Sequence, residues 1–459
     1  MATTINAIPV PSDDLPAKAN TDLAHLPGPK GHWLTGNIKQ ILPNPGPFVR
    51  AQQSKYGNCF TAGFFRNQRV VFLTGPKANE LVLLDRDDNF SSRWGWDIVH
   101  AFFGRNILVR DFEDHRQHRR LMTHVFKPGA LATYLEEMTT IISTAANAYI
   151  GSVDVYRQTK QLVLEIAIKV FAGIDPGQDS KTWNDELNTV LSNAMAHRIR
   201  LPGTAYSKAL KARNRLRARL LAELPARRAG GGDDLFSQLA TQADETGARL
   251  SDSDVVDHMF GMLFAAHDTT ASSLGMMFWL LARHPEWQAE LHEECHALFA
   301  RTGRDHLKYE DLEHLPKIDW VFKEALRLYS PLQILPRRPV RDFEFDGHNI
   351  PRNANIYLIP QAVHFDSEYF AEPDVFNPAR FSENNDANRT RSPHTFIPFG
   401  RGSHMCIGMH FAHMEIKAVI YQTLLKREIS LKADTEPELE YLPIVRPEGA
   451  LNVQFRSRD

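Results

Sequence analysis

The chain has 459 residues, 43% hydrophobic and 24% charged, with a formal net charge of -2. That balance supports a large buried core and excludes the strongly basic surface that nucleic acid or an anionic membrane would select. Three cysteines, Cys59, Cys295 and Cys406, are too few for a disulfide framework and fit a reducing compartment.

Residues 1–25 are polar, lack the basic and apolar regions of a secretory signal, and are expected to form a flexible N-terminal segment. Leu26-Pro27-Gly28-Pro29-Lys30-Gly31 opens the folded part with restricted turn chemistry, and 26–459 is expected to be one domain. Residues 59–64 and 69–73, β-branched and aromatic, predict two short strands joined by a polar turn. A short helix is expected over 76–86. Trp94, Trp96, Ile98, Phe102 and Phe103 form an aromatic-rich segment that either packs the core or lines a pocket. From 114 to 226 apolar residues recur at spacings of three and four, a helical pattern. The glycines of 227–233 predict a surface loop.

Residues 251–282 predict a long helix, with Ser251 and Asp254 suited to the N-terminal cap and Pro285 stopping the chain beyond its end. It is apolar on most faces and is expected at the centre of the molecule. Its longest charge-free piece, 269–282, has 14 residues, whereas a spanning helix needs about 20. No transmembrane anchor is expected, and the chain reads as soluble and cytoplasmic. After Arg327 prolines recur, and the last clear helix is expected over 408–427.

The sharpest segment runs Phe399-Gly400-Arg401-Gly402-Ser403-His404-Met405-Cys406-Ile407-Gly408. Its glycines let backbone N–H groups turn toward the sulfur, and a helix N-terminus follows. Both effects are expected to lower the thiol pKa and favour the thiolate, the form that binds metal. The ordinary reading of an isolated cysteine is a small buried hydrophobe, which is expected for Cys59 and Cys295. Zinc is a second reading, since His410 and His413 follow at helical spacing with His404 nearby, but the paired cysteines of common zinc sites are missing.

Phe399-Gly400-x-Gly402-x-His404-x-Cys406-x-Gly408 resembles the heme-binding signature of the cytochromes P-450, whose heme is ligated by cysteine. The resemblance implies a mostly α fold with a minor β region and a long central helix over a buried heme b. Cys406 would be the iron ligand, with Phe399, Gly400 and Gly408 shaping its loop. Three further motifs resemble the family in order. Glu324-Ala325-Leu326-Arg327, with Arg380 of Phe376-Asn377-Pro378-Ala379-Arg380-Phe381, would form a buried structural triad. Ala265-Ala266-His267-Asp268-Thr269-Thr270 resembles the acid–alcohol segment that relays protons during oxygen activation, with Ala266 where the family usually has glycine. Its plainer reading is a threonine bonded back to the carbonyl four residues earlier and an aspartate facing water. In 114–120, His115 and Arg119 match positions that contact heme propionates, as do His404 and Arg337, with Arg338 a competitor. Phe112 stands where a glycine is usual.

The resemblance implies a monooxygenase that inserts one atom of O2 into an apolar small molecule: a terpenoid, steroid, retinoid or fatty acid. No flavin or iron–sulfur motif is visible. Electrons from NAD(P)H would therefore arrive indirectly, through a ferredoxin- or flavodoxin-type donor with its reductase, docking on a face expected to carry Arg116, Arg120 and Arg401. A monomer is expected. A peroxide-driven member or an isomerase would typically lack the Asp–Thr pair. A reading from another class is a non-catalytic heme-based sensor or ligand carrier.

Overall fold

β1 (Cys59–Gly63) and β2 (Arg69–Leu73) form where β-branched and aromatic residues predict them, antiparallel, with Cys59 opposite Leu73 and Gly63 opposite Arg69. Short strands β3 (Phe90–Ser91), β4 (Leu335–Pro339) and β5 (Ile356–Leu358) complete one sheet in the order β1-β2-β5-β4-β3. These positions come from a computed structural model that describes residues 11–16, 18–64, 68–97, 102–175, 177–193, 201–433 and 436–458. All five residues of β4 are buried, including Arg337 and Arg338. Successive side chains on a strand point to opposite faces, so the two guanidiniums part company there.

The rest of the core is helical. Its main elements are α1 (Phe112–Thr123), α2 (Pro128–Ala148), α3 (Val155–Ala172), α4 (Ala205–Gly230), α5 (Asp252–Arg283), α6 (Pro316–Leu328) and α7 (Met409–Lys426). α5 is the predicted central helix. The Asp254 N–H donates to the Ser251 hydroxyl at 3.1 Å, acids occupy its first turn and Arg283 its last, all favourable to the helix dipole. Its 32 residues span roughly 48 Å at 1.5 Å per residue. Met259, Phe260, Leu263, Leu274, Phe278 and Trp279 are buried along it, and α3, α6 and α7 pack against it.

One expectation is corrected. Residues 227–230 continue α4, and the loop starts at Gly231, whose φ of +68° ends the helix. Arg227 donates to the Ala172 carbonyl at 2.7 Å and Arg228 to those of Ala240 and Leu250 at 2.6 and 2.9 Å. These bonds tether the last turn, and cations there also suit the dipole. Within 11–25, the described Ser12, Leu15 and Leu23 are buried, and the Trp94 indole N–H donates to the Ser12 carbonyl at 2.6 Å. Phe112 enters α1 with a φ of +49°, the left-handed region that glycine adopts without penalty. The backbone thus keeps the bend for which the family's glycine is suited, and the buried ring packs with Leu15 and Val340.

Among the described residues no helix is long and apolar enough to cross a membrane.

Candidate active site

The cysteine loop is a set of backbone turns fixed by glycine. Gly400 and Gly402 both have φ of +67°, and a Cβ on Gly402 would sit 2.0 Å from the Leu83 carbonyl oxygen. The Cys406 N–H donates to the Phe399 carbonyl at 2.9 Å, and the Met405 N–H to that of Gly402 at 3.1 Å. Gly408 caps α7 at a φ of -87° with open space around its Cα, so its contribution is its N–H, which donates to the Cys406 sulfur. Cys406 lies deep within the protein yet remains reachable by water.

The expected net lowering of its thiol pKa does not hold. Burial pushes the Cys406 thiol up, and the Gly408 N–H and Arg119 offset that only partly. A cation held at the sulfur would favour the thiolate there. Burial likewise pushes Cys59 up to about 12 and raises Cys295 further, and both are buried as expected.

Behind the loop, Phe399 packs edge-on to Phe322 of α6 and against His413 of α7 at ring separations of 6.3 and 5.6 Å. His413 turns to Asp319 at 2.8 Å, which Lys417 also contacts at 2.7 Å. Among the described residues no group of three or more metal-ligating side chains forms, so the zinc reading fails. The predicted triad is present. Arg327 donates to both Glu324 carboxylate oxygens at 2.7 and 2.8 Å, and Arg380 to one at 3.1 Å, all buried. His364, which sequence reasoning missed, joins this triad to the loop: its carbonyl accepts from Arg327 at 2.9 Å and its ring from the Ile397 N–H at 3.2 Å.

Above the loop the structure gathers His115, Arg119, Arg337 and His404. The two rings lie 3.9 Å apart and tilted by 31°. Burial holds His115 near 3 and His404 well below its usual range, and Arg119 and Arg337 push the same way. Arg337 is enclosed, donating to the Pro336 carbonyl at 2.8 Å. Arg338 faces away, bonding the Asn355 amide oxygen at 2.8 Å and lying over the Trp94 ring. The pleat thus puts the two guanidiniums on different faces, Arg337 on the side of His115 and His404. His115 Nδ1 is buried without a hydrogen-bond partner among the described residues. A buried cationic cluster with an orphaned ring nitrogen, beside a reachable sulfur, fits a group carrying both a metal and acidic substituents. Arg116, expected on a free basic face, is instead neutralised by Asp88 at 2.8 and 3.0 Å and Glu113 at 2.9 Å.

On α5, Gly261, Ala265, Asp268 and Thr269 are accessible while their neighbours Leu263 and His267 are buried. Spacings of three and four put them on one face, so one stripe of the helix is open. Phe103 stacks on Phe264 beside that stripe at 4.0 Å. Phe102 and Phe103 are core residues, Trp94 and Trp96 are half-buried, and Ile98 lies outside the described residues. The Thr269 hydroxyl donates to the Ala265 carbonyl at 2.7 Å, as its plainer reading has it, leaving its lone pairs free to accept. Asp268 does not simply face water. Lys160 of α3 lies 2.9 Å from its Oδ1 and His267 Nδ1 3.2 Å from the same atom. Burial acts to raise its carboxyl, but the two contacts outweigh it and hold it well below the usual carboxylate range. Lys160, over a hundred positions away, left no signal in the sequence.

The cytochrome P450 family model matches residues 26–455. The chain belongs to the cytochrome P450 family. A putative cytochrome P450 136 of Mycobacterium tuberculosis is 34% identical over 398 residues, 84% of this chain and 80% of that protein. The taxane 10-beta-hydroxylase of Taxus cuspidata is 29% identical, covering 86% and 82% of the two chains, and the beta-amyrin 28-monooxygenase of Panax ginseng 27%, covering 94% and 91%. Among solved structures, the retinoic-acid-bound cyanobacterial CYP120A1 superposes with a TM-score of 0.82 at 26% identity, covering 94% of this chain and all of that one. The fold is thus the mostly α P450 fold, and the protein is a P450 monooxygenase that uses heme b, O2 and a redox partner supplied by NAD(P)H. Bound heme supplies the activation of O2 and the transfer of one oxygen atom, and the protein supplies placement, protons and exclusion of water.

Proposed function

We propose that this P450 hydroxylates an apolar isoprenoid, a terpenoid or retinoid, with Cys406 as the iron ligand and Asp268 and Thr269 as the proton-handling pair. The observation that carries the site reading is the reachable sulfur of Cys406, deep in the protein, taking the Gly408 N–H and lying beside Arg119. His115, Arg119, Arg337 and His404 would hold the acidic substituents of the heme, an arrangement that suits guanidinium chemistry. Phe399 and Gly400 fix the turn that presents the sulfur.

On the open stripe of α5, Thr269 can accept a hydrogen bond from water and orient it, while Asp268 passes a proton on. The surrounding Phe103, Phe260 and Phe264 exclude bulk water and favour an apolar substrate. The isoprenoid class is supported by the names of relatives, which act on taxanes and beta-amyrin, and by retinoic acid in the structural neighbour. A ferredoxin- or flavodoxin-type donor with its reductase would supply the electrons, and the chain would act as a monomer. Spin-state titration and turnover of a lipophilic panel test the substrate class. Terpenoids and retinoids should bind and be hydroxylated in preference to fatty acids, and turnover confined to fatty acids would contradict it.

A further inference from the structure

A net charge of -2 for the whole chain conceals an uneven spread. Residues 23–79 contain seven lysines and arginines and no aspartate or glutamate, so this stretch is +7 and the remainder of the chain -9. The bulk balance that argues against an anionic surface as partner therefore does not describe this part of the molecule. The same stretch holds apolar side chains in water. Of the nine large hydrophobic residues exposed among the described ones, Trp33, Leu34 and Leu42 fall within ten positions, at 77, 45 and 49%. Single exposed leucines are ordinary, but a tryptophan and two leucines grouped in this way mark a contact surface.

The segment that carries them is firmly built. His32 and Gly36 exchange backbone hydrogen bonds at 2.9 and 2.7 Å, closing a tight turn with Trp33 and Leu34 at its tip. The Asn37 N–H then donates to the Gly63 carbonyl at 2.6 Å, and the Asn37 side-chain oxygen accepts from the Gly63 N–H at 3.1 Å. These bonds fix the turn to the end of β1. Gly36 has a φ of +57°, and a Cβ there would lie 2.2 Å from the Gly63 oxygen, so the turn sits flush against the strand. Ile38 and Ile41 are buried just beyond it. Lys30 and Lys39 flank the tip, both exposed and without a carboxylate partner among the described residues.

We propose that the Trp33 turn seats this P450 on the surface of an anionic lipid bilayer. Trp33, Leu34 and Leu42 enter the headgroup region, and Lys30 and Lys39 lie against the lipid phosphates and carboxylates. An indole suits that boundary, being apolar over most of its ring and polar at its N–H. A protruding apolar tip with cationic flanks matches a surface that is anionic outside and apolar just beneath. A soluble acidic protein offers the charge without the apolar layer. No described helix is long and apolar enough to span a bilayer, so the contact is peripheral, and a turn of this size gives weak, reversible association.

The test is cosedimentation of the heme-loaded full chain with vesicles of phosphatidylcholine alone or with one third phosphatidylserine, at millimolar lipid and low salt. Binding should favour the phosphatidylserine vesicles and fall as salt rises, because the Debye length shortens. Lys30→Gln combined with Lys39→Gln should weaken partition about 30-fold, at roughly fivefold for each cation near the surface. Trp33→Ser should weaken it about tenfold. These side chains are exposed, so the carbonyl band should persist in every variant. Bromine-labelled lipid should quench the fluorescence that separates the wild type from Trp33→Phe. Failure of the wild type to bind the anionic vesicles would overturn the proposal, as would binding that Trp33→Ser leaves unchanged. Capture of the redox partner through Lys30 and Lys39, with no vesicle association, would overturn it in favour of an acidic protein.

Discussion

The sulfur side and the open stripe of α5 are built by different means. Around Cys406 the geometry is held by backbone: two glycines at φ of +67°, N–H groups aimed at carbonyls and at sulfur, and a buried carboxylate with two guanidiniums behind. On α5 the backbone is ordinary helix, and its chemistry depends on Lys160 of α3, whose ammonium meets Asp268 and whose carbonyl meets the His267 ring. A site made of backbone turns tolerates almost no change at the turning residues. A site made of side-chain contacts on a regular helix tolerates substitution structurally while changing what it does. Substitutions on the first side should therefore cost stability and heme retention, and those on the second should cost chemistry.

The largest effect is expected at the triad. Glu324→Gln leaves Arg327 and Arg380 buried without their anion, a loss of about 3–5 kcal/mol from a total of roughly 5–15. Chemical denaturation and heme retention should both show it. Next is Gly402→Ala, whose Cβ would meet the Leu83 carbonyl in a positive-φ turn, at about 2–3 kcal/mol. Gly408→Ala sharpens the comparison, because that position is open and its N–H is kept, so the change should stay within about 1 kcal/mol.

On the α5 side, Thr269→Ala should leave melting temperature and substrate affinity nearly unchanged but lower product per NAD(P)H several-fold, with peroxide released. Full coupling would reduce the pair to helix chemistry. The smallest effect is expected for Lys160→Gln. The Asp268 carboxyl is depressed in the folded protein, so its stabilisation is present above the unfolded value of about 4 and lost as pH falls. The variant should be about 0.5–1 kcal/mol less stable at pH 7, and the gap should begin to narrow below about pH 4 and persist in part at pH 3.

What the sequence made legible follows the same division. The Cys406 loop could be read because glycine at a forced positive φ leaves a fixed spacing, and Glu324–Arg327 because a helix puts i and i+3 together. Arg337 and Arg338 could be told apart only once the register of β4 gave each a face. The helical end of α4 was missed because Arg227 and Arg228 are tied down by distant carbonyls. His364 and Lys160 act through partners 33 and 108 positions away, a separation that carries no local pattern. The thiol shift was misjudged because the loop's donors were legible and the burial opposing them was not.

The most direct test of the account is the carbon monoxide difference spectrum of Cys406→Ala beside Cys59→Ala and Cys295→Ala. The thiolate band for which the family is named should vanish in the first and persist in the other two. Its retention in Cys406→Ala would contradict the assignment of Cys406 as the iron ligand.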